Sequence, residues 1–233
     1  MPSSSERTFG QRYTKGRDLV EYLETLPAYS PGNPDLEPAN LTPFLDSVDT
    51  ANNDVASKLS VLSTEREARY NLYKADNGLI KRCSQIRDYV ASIHPDGKKS
   101  LDYKKVQRAV QSMRGIRISK KPPAGSPAKT ASTSEVSFGS MLKVGKDVLE
   151  VIKLVPGYAP SNINLTVLDY TAFVASVDAK NSVVAEKLEE YDNSVEARLS
   201  LYDELEDRVR KVRLALAAQY GKNSNEYKDS LKF

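Results

Sequence analysis

The sequence predicts an all-α protein built by tandem duplication. Each copy is expected to be a short helix followed by a long helical hairpin, the whole packed as a four-helix-bundle-like body. Three observations carry this. EARYNLY at 67–73 returns as EARLSLY at 196–202. Sliding the chain against itself by 129 aligns residues 16–73 with 145–202 without a gap, with more than twenty identities. Apolar residues recur every three or four positions through both copies, and no stretch alternates like a strand.

The elements follow in order. Residues 1–14 are polar and read as a flexible N-terminus. Repeat 1 covers 15–115 and opens with a short amphipathic helix over about 15–25; repeat 2 covers 141–233 and opens with one over about 142–154. Each short helix is stopped by a Pro-rich turn, LPAYSPGNP and VPGYAPSN, because proline fixes φ and removes a donor. In copy one Leu41, Leu45, Val48, Val55, Leu59 and Leu62 mark the next helical stripe, and Leu79, Cys83, Ile86 and Val90 continue it. In copy two Tyr170, Val174, Val177, Val184 and Leu188 play the same part.

Two positions fit the bend of the hairpin. Thr64-x-x-Glu67 and Asn193-x-x-Glu196 are capping-box patterns that would start a second helix. Alternatively the helix runs to about Tyr73 and bends at KADNG (74–78). After Tyr73 the copies slip, and Gly97, Ser100 and Tyr103 match Gly221, Ser224 and Tyr227 at a spacing of 124, which places five extra residues in that turn. Residues 116–140, rich in Pro, Ser, Lys and Thr, read as a basic linker.

Composition narrows the function. A single cysteine forms no internal disulfide, and no apolar run approaches membrane-span length. A cytoplasmic location is therefore expected, with leaderless export left open. One histidine, His94, rules out a Glu-x-x-His di-metal bundle site. The glycines form no phosphate-binding loop. No catalytic residue, metal or cofactor is expected, and Cys83, on an apolar stripe, reads as a small buried hydrophobe.

The charge map gives the one direction. Net charge is only +3, yet residues 95–135 hold ten Lys or Arg against three acids, whereas 26–64 and 165–192 are acidic. Lys98, Lys99, Lys104, Lys105, Arg108, Arg114, Arg117, Lys120 and Lys121 are thus candidate contacts for a polyanion or a protein partner. The expected function is a non-enzymatic structural or interaction protein that assembles with itself or a partner through helical surfaces. The alternative is a nucleic-acid-associated protein with Tyr103 as a stacking group, and a lesser one is a small-molecule-binding bundle. The recurring pairs Arg69/Arg198 and Tyr73/Tyr202 read as snorkelling arginines and packed tyrosines.

Leu62, Ser63, Arg66, Arg69, Leu72 and Tyr73, followed by Gly97, Ser100, Tyr103 and Lys104, resemble a helical-repeat family of uncharacterised bacterial proteins with the pattern LSxxRxxR…LY then GxxSxEYK. Asp102 stands where that pattern has Glu, and copy two keeps Arg198, Leu201, Tyr202, Gly221, Ser224, Glu226, Tyr227 and Lys228 without the Leu-Ser pair. The resemblance implies a helical fold and no particular activity.

Overall fold

A computed structural model describes residues 4–115 and 137–233. Among these the elements are α1 (Ser4–Glu24), α2 (Pro38–Lys74), α3 (Leu79–Ile93), α4 (Leu101–Met113), α5 (Phe138–Leu154), α6 (Val167–Tyr220) and α7 (Asn225–Ser230). Short 3-10 turns occupy Pro34–Leu36, Gly97–Lys99 and Ile163–Leu165, and no strand is present among the described residues. The all-α class stands.

Two helix starts lie earlier than the sequence suggested. Helix α1 covers much of the stretch expected to be flexible, because Phe9 and Tyr13, one turn apart, pack on its core face. Helix α5 starts inside the expected linker: Ser137 Oγ accepts from the backbone N–H of Ser140, and Phe138 packs against the core. The rest of the linker lies outside the described residues.

The bend comes at Ala75–Gly78, and only in copy one. The capping boxes start nothing: Thr64 and Asn193 both sit inside unbroken helices. No Pro or Gly precedes either to stop the preceding turn, so the helix propagates through them. At the bend a Cβ on Gly78 would lie 2.9 Å from the carbonyl carbon of Tyr73 and 3.0 Å from two backbone oxygens, so glycine alone fits. The extra residues of copy one do not all fall here. A Cβ on Gly145 would press on Leu79, and one on Gly16 would press on Leu205, so these leucines are equivalent at a spacing of 126. Three extra residues make the bend, and two more lie between α3 and Gly97.

The matched copies build matched corners. Asn33 and Asn162 each cap a 3-10 turn by accepting from the N–H two residues on. The hydroxyls of Tyr29 and Tyr158 donate to the carbonyls of Leu36 and Leu165. Each corner therefore satisfies its own backbone carbonyl after proline has ended the helix.

The compact units cut across the copies. Unit 1 comprises residues 1–61 and 188–233; unit 2 comprises 62–187. The core of unit 1 joins Leu19 and Leu23 of α1, Leu41, Leu45 and Val48 of α2, and Leu205, Val212 and Leu216 of α6. In unit 2, Cys83, Ile86 and Val90 of α3, Val106, Val110 and Met113 of α4, Met141, Val148 and Ile152 of α5 and Tyr170, Val174 and Val177 of α6 share one core. That is a four-helix body on the short and long stripes that the sequence shows.

The antiparallel partner of each long helix comes from the other copy. In unit 1, Asn52 bonds Tyr202 and Lys58 pairs with Glu190. In unit 2, Glu65 pairs with Lys180, Tyr73 bonds Asn181, and Cys83 touches Tyr170. Through the bend α3 goes on along α6 in the direction of α2, so the long helices pair between the copies, while α3 and α4 form a hairpin within copy one. Leu59 and Leu188, expected in the seam, are 43 % and 37 % exposed.

A specific protease site placed within residues 121–131 tests this exchange. After complete cleavage the two fragments should still elute as one species with undiminished helical circular dichroism, since each core needs residues from both. Fragments that separate as folded species would contradict it.

Candidate functional site

Arg69, Tyr73, Phe138 and Asn181 meet in unit 2. The Tyr73 hydroxyl donates to the Phe138 carbonyl (2.8 Å) and accepts from Asn181 Nδ2 (2.8 Å). The rings of Tyr73 and Phe138 are 4.8 Å apart, and the Arg69 guanidinium lies 4.2 Å from the Phe138 ring. Unit 1 repeats the arrangement with every residue shifted by 129. Tyr202 donates to the Phe9 carbonyl (3.0 Å) and accepts from Asn52 Nδ2 (3.0 Å), and Arg198 lies 4.4 Å from the Phe9 ring. Burial raises the pKa of Tyr73, an effect that the Asn181 hydrogen bond opposes, and desolvation lowers that of Arg69.

These clusters are clamps of the kind expected for the tyrosines, but the arginines stack on phenylalanines instead of snorkelling. The sequence contained a signal for Phe9 and Phe138: both precede a glycine, 129 residues apart, so the repeat extends to Phe9.

Cys83 is fully buried, with Sγ 3.1 Å from the Tyr170 hydroxyl, and burial pushes its thiol up to about 12. It is a protonated thiol at neutral pH. His94 caps the end of α3, with Nδ1 accepting from the Asp96 N–H. Among the described residues no cluster of three His, Cys, Asp or Glu is placed to hold a metal ion, and no helix is long and apolar enough to cross a membrane.

The basic segment lands on α4 and the turn before it. Six of the nine candidate cations lie in the described residues, and all six are exposed: Lys98, Lys99, Lys104, Lys105, Arg108 and Arg114. Arg117, Lys120 and Lys121 lie outside them. Lys105 pairs with Asp102 (3.6 Å), and Arg114 donates to the Ser84 hydroxyl (2.9 Å). Lys98, Lys99, Lys104 and Arg108 form no ion pair among the described residues, unlike Arg12, Arg17, Lys58 or Lys146 elsewhere, each of which holds a carboxylate.

Val106, Val110 and Met113 bury the other face of α4, which fixes the cations outward. Ser100 starts the helix by accepting from the N–H of Tyr103. The Tyr103 ring packs partly against the core, so it is not the free stacking group proposed from sequence. Leu101 was overlooked. It is 68 % exposed, one helical turn from Lys104 and Lys105 and three residues from Lys98. Its signal was comparative: the matched residue in α7 is Asn225, so the fold does not require leucine there.

No family model, curated protein or solved structure matches the chain. The comparison available is between its own two halves.

Two outcomes are expected. Tyr73→Phe and Tyr202→Phe should each cost about 1–3 kcal/mol in urea unfolding, because each leaves a carbonyl and an amide without their partner. Stability should also fall in alkali. Folded Cys83 keeps its proton toward about pH 12 while an ordinary thiol loses it near 9.0, so the thiol's contribution is complete below 9 and declines as pH rises above it. Urea midpoints at pH 8 and 10.5 should therefore differ less in Cys83→Ala than in the native chain.

Proposed function

We propose that this is a non-enzymatic interaction protein that assembles with acidic protein surfaces, a second copy of itself among them, through the outer face of α4. The observation that carries the reading is Leu101, an exposed apolar side chain set among Lys98, Lys104 and Lys105. An apolar centre within a charged rim is the anatomy of a protein contact. Phosphate backbones reward the lysines but not the leucine, which favours protein over nucleic acid.

Complementary charge is present on the same chain. Glu37, Asp54, Glu189 and Asp192 of unit 1 are exposed and form no ion pair among the described residues. A contact between the α4 face of one molecule and such carboxylates of another would be weakened by salt, since exposed charges are screened over about 8 Å at physiological ionic strength.

Light scattering of nuclease-treated protein tests the reading. Assembly at low salt should diminish at high salt, and both Leu101→Glu and the pair Lys104→Glu, Lys105→Glu should abolish it without shifting the melting temperature. A native chain that stays monomeric at every salt concentration would remove self-assembly. If it then bound oligonucleotides with an affinity lost in the lysine pair but kept in Leu101→Glu, the nucleic-acid reading would replace this one.

A further inference from the structure

Unit 1 contains a solvent-open groove of about 600 Å³ between α1 and α6, a size typical of small-molecule sites. Its position has a counterpart in unit 2, and the comparison shows what it is. Helices α4 and α7 start alike: Ser100 and Ser224 each accept from the N–H three residues on. Helix α4 then continues to Met113 and packs on α5, Val110 and Met113 sharing the core with Met141, and the Arg114 that caps it reaches Ser84. Helix α7 ends at Ser230 and the chain turns over Leu231 and Lys232. The groove is the seat that α4 fills in unit 2.

The two positions differ in chemistry. Where unit 2 has Met141, Val144 and Ser84, unit 1 has Arg12, Lys15 and Arg210. An apolar helix that fits over Met141, Val144 and Ser84 does not fit over three cations. Some of the charge is internally held: Arg12 pairs with Glu206 at 2.7 Å and Arg210 with Asp207 at 2.5 Å. Among the described residues Lys15 and Arg213 pair with no carboxylate, and Arg213 uses only Nε, on the Ser230 carbonyl. Asp203 lines the same groove and makes no ion pair among the described residues, while Phe233 and Val209 supply apolar wall.

We propose that this groove binds a small organic anion, a phosphate monoester or a carboxylate with an apolar body. Its anionic group is held by Lys15 and Arg213, and its body lies on Phe233 and Val209. The guanidinium of Arg213 keeps both terminal nitrogens for a fork-like contact with two oxygens, and Lys15 adds a mobile point charge. This site is separate from the α4 face and stands or falls independently of it.

Isothermal titration of the full chain at low salt with phenyl phosphate, benzoate, inorganic phosphate and benzyl alcohol tests the site. Saturable binding is expected for phenyl phosphate or benzoate, and which of the two binds more tightly identifies the head group. Benzyl alcohol should not bind. Lys15→Met and Arg213→Met should each weaken binding by about tenfold, the scale of one charge-assisted contact, whereas Lys104→Gln with Arg108→Gln should leave it unchanged. Lys15 is exposed, so its substitution spares the core. No saturable binding at millimolar ligand overturns the proposal. So does equal weakening by the α4 pair, or inorganic phosphate binding as tightly as either organic anion.

Discussion

The hydroxyls of Tyr73 and Tyr202 hold the two copies to each other. Each is buried, each donates to the carbonyl of a phenylalanine near the start of a short helix, and each accepts from an asparagine on an antiparallel long helix. In both clamps the tyrosine and arginine come from one copy and the phenylalanine and asparagine from the other. A buried hydroxyl without partners is costly, so the position of α5 beside α2 in unit 2, and of α1 beside α6 in unit 1, follows from satisfying it. Packing then does the rest: Gly16 and Gly145 let Leu205 and Leu79 approach the short helices closely enough to close each core.

Duplication separates what the fold needs from what it leaves free. The clamp residues, the corner tyrosines and the close-approach glycines are the same in both copies, and all of them satisfy backbone groups or fill a core. The copies differ in the segments after α3 and α6 and at the starts of α1 and α5. Leu101 corresponds to Asn225, Lys105 to Asp229, Met141 to Arg12 and Val144 to Lys15. The same substitutions set the chemistry of both candidate surfaces: a basic helix face in unit 2 and a charged groove in unit 1.

Much of this was legible in the sequence. The helical class, the duplication, the proline corners and the apolar stripes of α3 and α6 follow from spacing alone. The exchange of halves was not legible, because an apolar stripe records that a helix has a partner without recording which one. The same limit explains Leu59 and Leu188: they keep the heptad spacing, but burial at a given heptad depends on which neighbouring helices reach that level. The capping boxes misled because a capping residue stabilises a start only where the preceding turn has already stopped. On the site side, the exposed cations of α4 were legible as a charge run. The significance of Leu101 was not, since a lone leucine looks like core until a structure turns it outward.

The two copies also differ in how they use charge beyond the level of the bend at Ala75–Gly78. In copy two α6 continues without interruption through the level where copy one breaks, and its outer surface there is mixed in charge, with Arg208 on Glu204 and Lys211 on Asp207. Helices stabilised by such i,i+4 pairs use their cations internally. Copy one carries Lys98 and Lys99 in the loop before α4, where copy two has Lys222 and Asn223, and α4 extends them with Lys104 and Arg108. None of these four has a carboxylate partner among the described residues. Their charge is therefore available to another molecule, whereas the equivalent stretch of α7 retains Asp229 pairing with Lys232. Where α4 sets Lys105 one turn before Arg108, copy two sets Asp229 one turn before Lys232, so the position that neutralises a cation in copy two adds one in copy one.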